Sequence, residues 1–292
     1  MNKKNTAPTL LKITSLRPFK GHPYKVQDNE EMDTLTESIK ENGILTPLIV
    51  RPIENTGEYE IISGHRRLHA AQKAGLTEIP VFIRVLDRDS AAIAVVDSNL
   101  HREHIPPSEK AFAYRMKAEA LKHQGRRTDL TLGQVVPKSE DNRTTAEIGA
   151  VTNESYKTVQ RYIRLTYLIP EFLEKMDKGE IALSVGVELS YLNESRQQDV
   201  LEQCRMNDCT PSYSQAWRMH KAEREGLLTK DVIQFVMSEE KPNQREMVKV
   251  HADRLQDVLP KGMNAQKTEE FIIKACEHYR KYLIRQRSRG ER

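Results

Sequence analysis

Two arginines, Arg66 and Arg67, follow a Ser-Gly step and a histidine in the stretch EYEIISGHRRLHAAQKA, residues 58–74. Tyr59–Ile62 alternates as a short strand, and a helical pattern begins within two residues of Gly64. Ser63, Gly64, His65, Arg66 and Arg67 therefore stand where a strand ends and a helix opens. Unbonded N–H groups, the positive end of the helix dipole and two guanidinium groups in one place suit a phosphate. Taken alone, the pair reads equally well as two solvated arginines on an ordinary turn. A second polar set, Asp97-Ser98-Asn99-Leu100-His101-Arg102-Glu103, ends the helix after the last strand, where Asn99 and Arg102 could complete a pocket for phosphate or sugar oxygens.

The third set lies in residues 144–168. TTAEIGA reads as a short helix, VTN as a turn and ESYKTVQRYIRLTYL as a longer helix, the layout of a helix-turn-helix. Gly149 permits close approach of the two helices, and Asn153 tolerates the positive φ of the turn. Ile148 and Val159 fall where the helices pack. Ser155, Tyr156, Lys157, Thr158, Gln160, Arg161 and Arg164 occupy the other side, the first of them suited to base edges and Lys157, Arg161 and Arg164 to phosphates.

Around these sets the pattern predicts a strand near Leu11–Ile13, a helix over Glu30–Asn42 stopped by Gly43, a strand over Ile44–Arg51 and another over Pro80–Val85. A helix from Ser90 and one capped by Ser108 follow; the second carries the stripe Ala111, Tyr114, Ala118 and Leu121, and Gly125 is its expected end. Residues 126–143 read as a partly mobile segment, Pro170 as the end of the helix-turn-helix run, and Trp217 as a core anchor. Four segments result: a disordered tail over 1–9, an α+β domain over 10–105, an all-α domain over 106–226, and a small helical C-terminal domain over 227–292 whose last eight residues are a disordered basic tail.

The 292 residues carry 46 Lys and Arg against 42 Asp and Glu, a net charge of +4 too mild to prove nucleic-acid binding by itself. No apolar run reaches the roughly 18 residues of a membrane span, and the first ten residues lack a signal peptide's apolar stretch, so a cytoplasmic protein with no membrane partner is expected. Three cysteines, Cys204, Cys209 and Cys276, form neither a disulfide framework nor a zinc pattern.

In order, LTPLIVRP, SGHRRLHAAQKAG, DSNLHRE and the helix-turn-helix resemble the ParB/RepB/Spo-type partition proteins, over roughly residues 10–220. That family's motifs are usually G-E-R-R-x-R-A and E-N-L-x-R-E. Gly64, Arg66, Arg67 and Ala70 match the first; Asn99, Leu100, Arg102 and Glu103 match the second; Thr46 and Pro47 fall in its base-side motif, where a Gln usually stands at 46. The resemblance implies a sulfiredoxin-like N-terminal fold that binds CTP with Mg2+, Arg66 and Arg67 on the triphosphate, and Asn99 on the metal-bound phosphates. It also implies sequence-specific binding of double-stranded DNA, a homodimer closing as a clamp, a ParA-type ATPase partner and a nucleoid-associated place in the cytoplasm. The departures point to a plasmid or mobile-element member. His65 and His69 replace a Glu and an Arg of the first motif, and Ser98 replaces the second motif's first Glu, which removes the carboxylate expected for hydrolysis and leaves at most a weak CTPase. The alternatives are a regulator without nucleotide and a ParB-like phosphotransferase or nuclease using His65 and Asp97. With no cysteine before Cys204, sulfinic-acid repair of the sulfiredoxin kind is excluded.

Overall fold

The computed structural model describes residues 7–100, 102, 104–132, 140–239, 259–260 and 265–290. Five strands, β1 (Thr9–Lys12), β2 (Leu16–Arg17), β3 (Leu48–Pro52), β4 (Tyr59–Ser63) and β5 (Glu78–Ile83), form one sheet in the order β1-β5-β3-β4-β2. The pairings alternate: antiparallel β1/β5 and β3/β4, parallel β3/β5 and β2/β4. Neighbouring side chains of a strand point to opposite faces, and Ile61 and Ile62 of β4 are both buried because both faces are covered. Ile61 joins Leu48, Val50, Ile79 and Val81 under α1 (Glu30–Asn42) and α2 (His65–Lys73). Ile62 joins Phe19, Ala91 and Val95 on the other side, under α3 (Arg88–Asp97).

The α+β N-terminal domain, the all-α domain after it and a C-terminal helix agree with the fold class read from the sequence; several boundaries differ. Thr9 is already in β1, paired with Val81, so the sheet begins inside the expected tail; residues 1–6 lie outside those described. β3 starts at Leu48 and not at Ile44, because the carbonyls of Thr46 and Pro47 are taken by Arg67. Asp87, not Ser90, caps α3, accepting from Ser90 N–H at 2.9 Å.

α4 (Pro107–Leu132) runs through Gly125, past its expected end. It begins at Pro107, a residue preset for the first helical position. Ser108 is therefore inside the helix, its N–H donating to the Asp177 carboxylate at 2.9 Å and its hydroxyl bonding the same group. α4 is buried on two sides. Ala113, Met116 and Ala120 face the N-terminal domain, and Tyr114 and Ala118 face the helix-turn-helix.

Beyond it come α5 (Glu140–Thr152), α6 (Tyr156–Leu165), α7 (Pro170–Asp177), α8 (Leu183–Leu189), α9 (Glu194–Met206), α10 (Tyr213–Arg224) and α11 (Lys230–Ser238). Residues 126–132 and 140–143 of the expected mobile segment are helical; 133–139 lie outside the described residues. Pro170 opens α7 at its first turn and does not simply end a run. Trp217 is 47% exposed and so is no core anchor. The buried face of α10 is Gln215, Ala216 and Met219, and Lys221 covers the Trp217 ring at 5.8 Å. Ile233, Val236 and Met237 of α11 share a core with Phe172 and Leu201, so the compact unit extends to Glu239, past the boundary expected at 226.

The second unit, Glu240–Arg292, contains α12 (Ala265–Gly290), a 26-residue helix. Its helical hydrogen bonding reaches Gly290, well into the expected disordered tail. Residues 240–258 of the expected helical C-terminal domain lie outside the described residues.

Candidate nucleotide pocket and helix-turn-helix

Gly64 sits at φ 108°, left-handed backbone, as the residue before α2. A Cβ there would stand 2.7 Å from Leu48 Cγ, so both the backbone and the close approach require glycine. No side chain caps α2 and its first backbone bond runs from Leu68 N–H to the Gly64 carbonyl at 2.9 Å, which leaves the N–H groups of His65, Arg66 and Arg67 for an anion.

The two arginines divide. Arg67 is half-buried, and its Nη1 donates to the Pro47 carbonyl at 3.1 Å and to that of Thr46. Burial lowers its pKa from the ordinary arginine value. Thr46 thus meets the turn through its backbone. Arg66 turns outward to Glu31 of α1 at 2.9 Å, an exposed pair of the kind worth under about 1 kcal/mol and easily exchanged for a ligand anion. Ser63 closes β4 opposite Ile49.

The loop from Pro18 to Lys25 folds across this turn, pinned at several points. The buried Glu60 pairs with Arg51 at 2.6 Å and accepts from Lys20 N–H at 2.9 Å. Phe19 N–H donates to His65 Nε2 at 3.4 Å, and Lys25 N–H to the buried Glu109 at 3.0 Å. His22 lies over His65, ring centroids 3.7 Å apart, and its Nδ1 bonds the Tyr24 carbonyl at 2.8 Å. Arg102 reaches in from the second motif, its guanidinium 5.3 Å from the Tyr24 ring centre. The Gly64–Arg67 turn and Arg102 therefore meet on one loop. His22 and Tyr24 were missed because a His-Pro-Tyr triplet in a connector carries no periodic signal; its mix of rings and polar tips beside a proline was the available hint.

Asn99 is buried, its amide nitrogen donating to the Val95 carbonyl at 2.8 Å and to Ser98 Oγ at 3.1 Å. Its carbonyl oxygen is the part suited to a cation. Ser98 donates to the Val95 carbonyl, and Asp97 is held by Lys117 at 2.5 Å. Among the described residues no three His, Cys, Asp or Glu side chains gather to hold a metal. A magnesium ion would be held here only through phosphate oxygens, with the Asn99 carbonyl oxygen as the protein group able to ligate it.

Burial, then the proximity of His22 and Arg102, pushes the His65 pKa down to about 3. The unfolded chain binds a proton near pH 6.5 that the fold refuses until about pH 3, so this stability is present above 6.5 and is lost as pH falls. Between pH 7 and 5 the loss is about 2 kcal/mol from His65 alone. Urea unfolding at the two pH values should show it, and His65→Gln should flatten the difference.

In the helix-turn-helix, Ser155 caps α6, accepting from Thr158 N–H at 3.1 Å, and Asn153 takes φ 56° in the turn. Val159 and Ile148 pack with Tyr114 and Ala118 of α4, as their spacing predicts. Glu154 in the turn pairs with Lys110 and accepts from the Tyr114 hydroxyl at 3.0 Å, tying the motif to α4. Ser155, Tyr156, Lys157 and Arg161 are exposed; Thr158 and Gln160 are half-buried. Arg164 departs from the expected outward face. It donates to the Ser190 carbonyl at 2.8 Å and lies 4.5 and 4.1 Å from the ring centres of Tyr167 and Tyr191. Its position in the last turn of α6 directs it onto Ser190 at the end of α8, where it braces α6.

The chain thus sets a helix-opening glycine turn on a mixed sheet and joins it through one helix to a helix-turn-helix. The family model described as "ParB N-terminal domain" matches residues 1–100, about the first third of the chain. It is 36% identical over 172 residues to "Chromosome-partitioning protein Spo0J" of Thermus thermophilus, which covers 59% of this chain and 55% of the relative. The chain thus matches only about half the length of that relative. Two solved structures from Caulobacter crescentus are also similar, both of C-terminally truncated chromosome-partitioning protein ParB. The one complexed to the centromeric parS site is 21% identical, covers 73% of this chain and 98% of that one, and has a TM-score of 0.42. The one complexed with CTP-gamma-S is 24% identical, covers 67% and 97%, and has a TM-score of 0.31. Among the described residues no helix is long and apolar enough to cross a membrane.

Proposed function

We propose that this chain is a DNA-binding partition protein whose N-terminal domain holds a nucleoside triphosphate as the switch for clamping DNA. The observation that carries the reading is the convergence of the Gly64–Arg67 turn and Arg102, 35 residues apart in sequence, on the single loop of His22 and Tyr24. The resemblance of these motifs to the ParB family selects CTP with Mg2+ among the triphosphates. In this reading the α2 N–H groups, Arg66 and Arg67 take the phosphates, with Ser63, His65 and Thr46 shaping the turn. Asn99 and Arg102 close the other side. Hydrolysis is slow or absent, since Ser98 is bonded to its own helix and Asp97 to Lys117.

α4 supplies the path from pocket to DNA. Its Lys117 grips the end of α3 beside Asn99, and its Lys110 and Tyr114 grip Glu154 in the turn of the helix-turn-helix. Ser155, Tyr156, Lys157, Thr158, Gln160 and Arg161 form the DNA face, with Arg164 bracing it. The protein acts as a homodimer on double-stranded DNA in the cytoplasm, at the nucleoid, with a ParA-type ATPase, and serves a plasmid or other mobile element. A phosphotransferase or nuclease would need His65 and Asp97 working together, and both are committed elsewhere.

A duplex selected from a random pool tests the DNA half of this reading. Arg161→Ala should weaken binding about tenfold with an unchanged circular dichroism spectrum, and lower the slope of log affinity against log salt by about 1. Unaltered affinity and slope would remove α6 as the DNA helix.

A further inference from the structure

Buried polar atoms in folded proteins are almost always hydrogen-bonded, and each exception asks for a reason. Among the described residues, two buried side-chain atoms have no partner, His22 Nε2 and the Tyr24 hydroxyl. They belong to one loop, on rings 5.5 Å apart, and Tyr24 is 3% exposed. Both stand between the two motifs, with His65 stacked on one ring and Arg102 over the other.

The chemistry of the pair is specific. His22 Nδ1 faces the Tyr24 carbonyl and so carries the ring's proton, which leaves Nε2 as a bare acceptor. An ionised phosphate has only acceptor oxygens and would be repelled by that lone pair. The tyrosine hydroxyl can donate. Together they match a group that gives one hydrogen bond and takes another, as a single O–H does.

We propose that His22 Nε2 and the Tyr24 hydroxyl are ligand contacts that receive an O–H group of the bound nucleotide complex, either a sugar hydroxyl or a water carried by its metal ion. The assignment rests on the nucleotide reading above. It makes Tyr24 a residue the fold would be better without: a buried hydroxyl without a partner costs stability, and only a ligand repays it.

Tyr24→Phe removes one oxygen and keeps the ring in its site beside Val96 and Ala113. The test is calorimetric titration of the full chain and this variant with CTP, 2′-deoxy-CTP and 2′,3′-dideoxy-CTP, each with magnesium and with EDTA, beside melting of the nucleotide-free proteins. The expected result is a CTP affinity about tenfold weaker in the variant while its nucleotide-free melting temperature is unchanged or higher. With a sugar hydroxyl as the group, the penalty shrinks for the dideoxy nucleotide; with a metal-bound water, it persists there and disappears in EDTA. An unchanged CTP affinity, or an equal penalty under all conditions, overturns the assignment and leaves the nucleotide reading standing. A wild-type protein that binds no nucleotide overturns both.

Discussion

Gly64→Ala should lower the melting temperature by roughly 4–20 °C and weaken nucleotide binding by at least tenfold. Two costs add. An alanine at φ 108° gives up about 1–2 kcal/mol of backbone energy, and its Cβ would press into Leu48, a fully buried residue of β3, at 2.7 Å. Overpacking of that kind costs about 1–3 kcal/mol, and each kcal/mol moves a domain of this size by roughly 2–4 °C. Relief of the contact would tilt the start of α2, and with it the N–H groups and Arg67. Gly75→Ala is the control, since that glycine also has positive φ, 79°, but nothing stands within 4 Å of its added Cβ. Equal melting shifts for the two variants would show that the Leu48 contact is absent.

The second large effect is expected at Gly149, on stability and on DNA affinity together. Its added Cβ would stand 2.4 Å from the backbone oxygen of Glu154, and that oxygen cannot swing away as a side chain could. The turn is closed there by the Glu154 N–H donating to the Gly149 carbonyl at 2.9 Å. Gly149→Ala must open the angle between α5 and α6. Alanine gains about 1 kcal/mol of helix propensity, which offsets part of the strain. The melting point should still fall by several degrees, and affinity for a selected duplex, read by fluorescence anisotropy where the variant is folded, falls by well over tenfold. Retained DNA affinity would mean that α6 does not depend on this close approach.

Much of this site could be read in the sequence because its parts are local. A strand period that breaks at Ser63-Gly64, with a helix beginning at once, fixes the α2 turn without any tertiary information. Asn153 and Gly149 mark the helix-turn-helix in the same way. The failures are tertiary. Arg66 and Arg67 are neighbours with the same chemistry, yet one is turned out to Glu31 by the packing of α1 on α2, and the other is held inward by two carbonyls. Arg164 has the spacing of a phosphate contact, and only the approach of α8, with Ser190 and Tyr191, draws it away. Trp217 looked like core because a lone tryptophan usually is, but it lies about 100° round the helix from Ala216. His22 and Tyr24 gain their meaning from a loop crossing the mouth of another element, which no pattern in that loop records.

The proposed function stands or falls with the turn at Gly64 as a triphosphate pocket. Its most direct test is calorimetric titration of the full chain with CTP, ATP and GTP in magnesium, repeated with Arg66→Ala. That substitution removes an exposed side chain paired only with Glu31 in the described contacts, so the fold should survive it. Saturable binding of CTP in preference to the purine nucleotides is expected, weakened at least tenfold in Arg66→Ala at an unchanged melting temperature. Binding of no nucleotide by the wild-type chain, or CTP binding indifferent to Arg66, would contradict it.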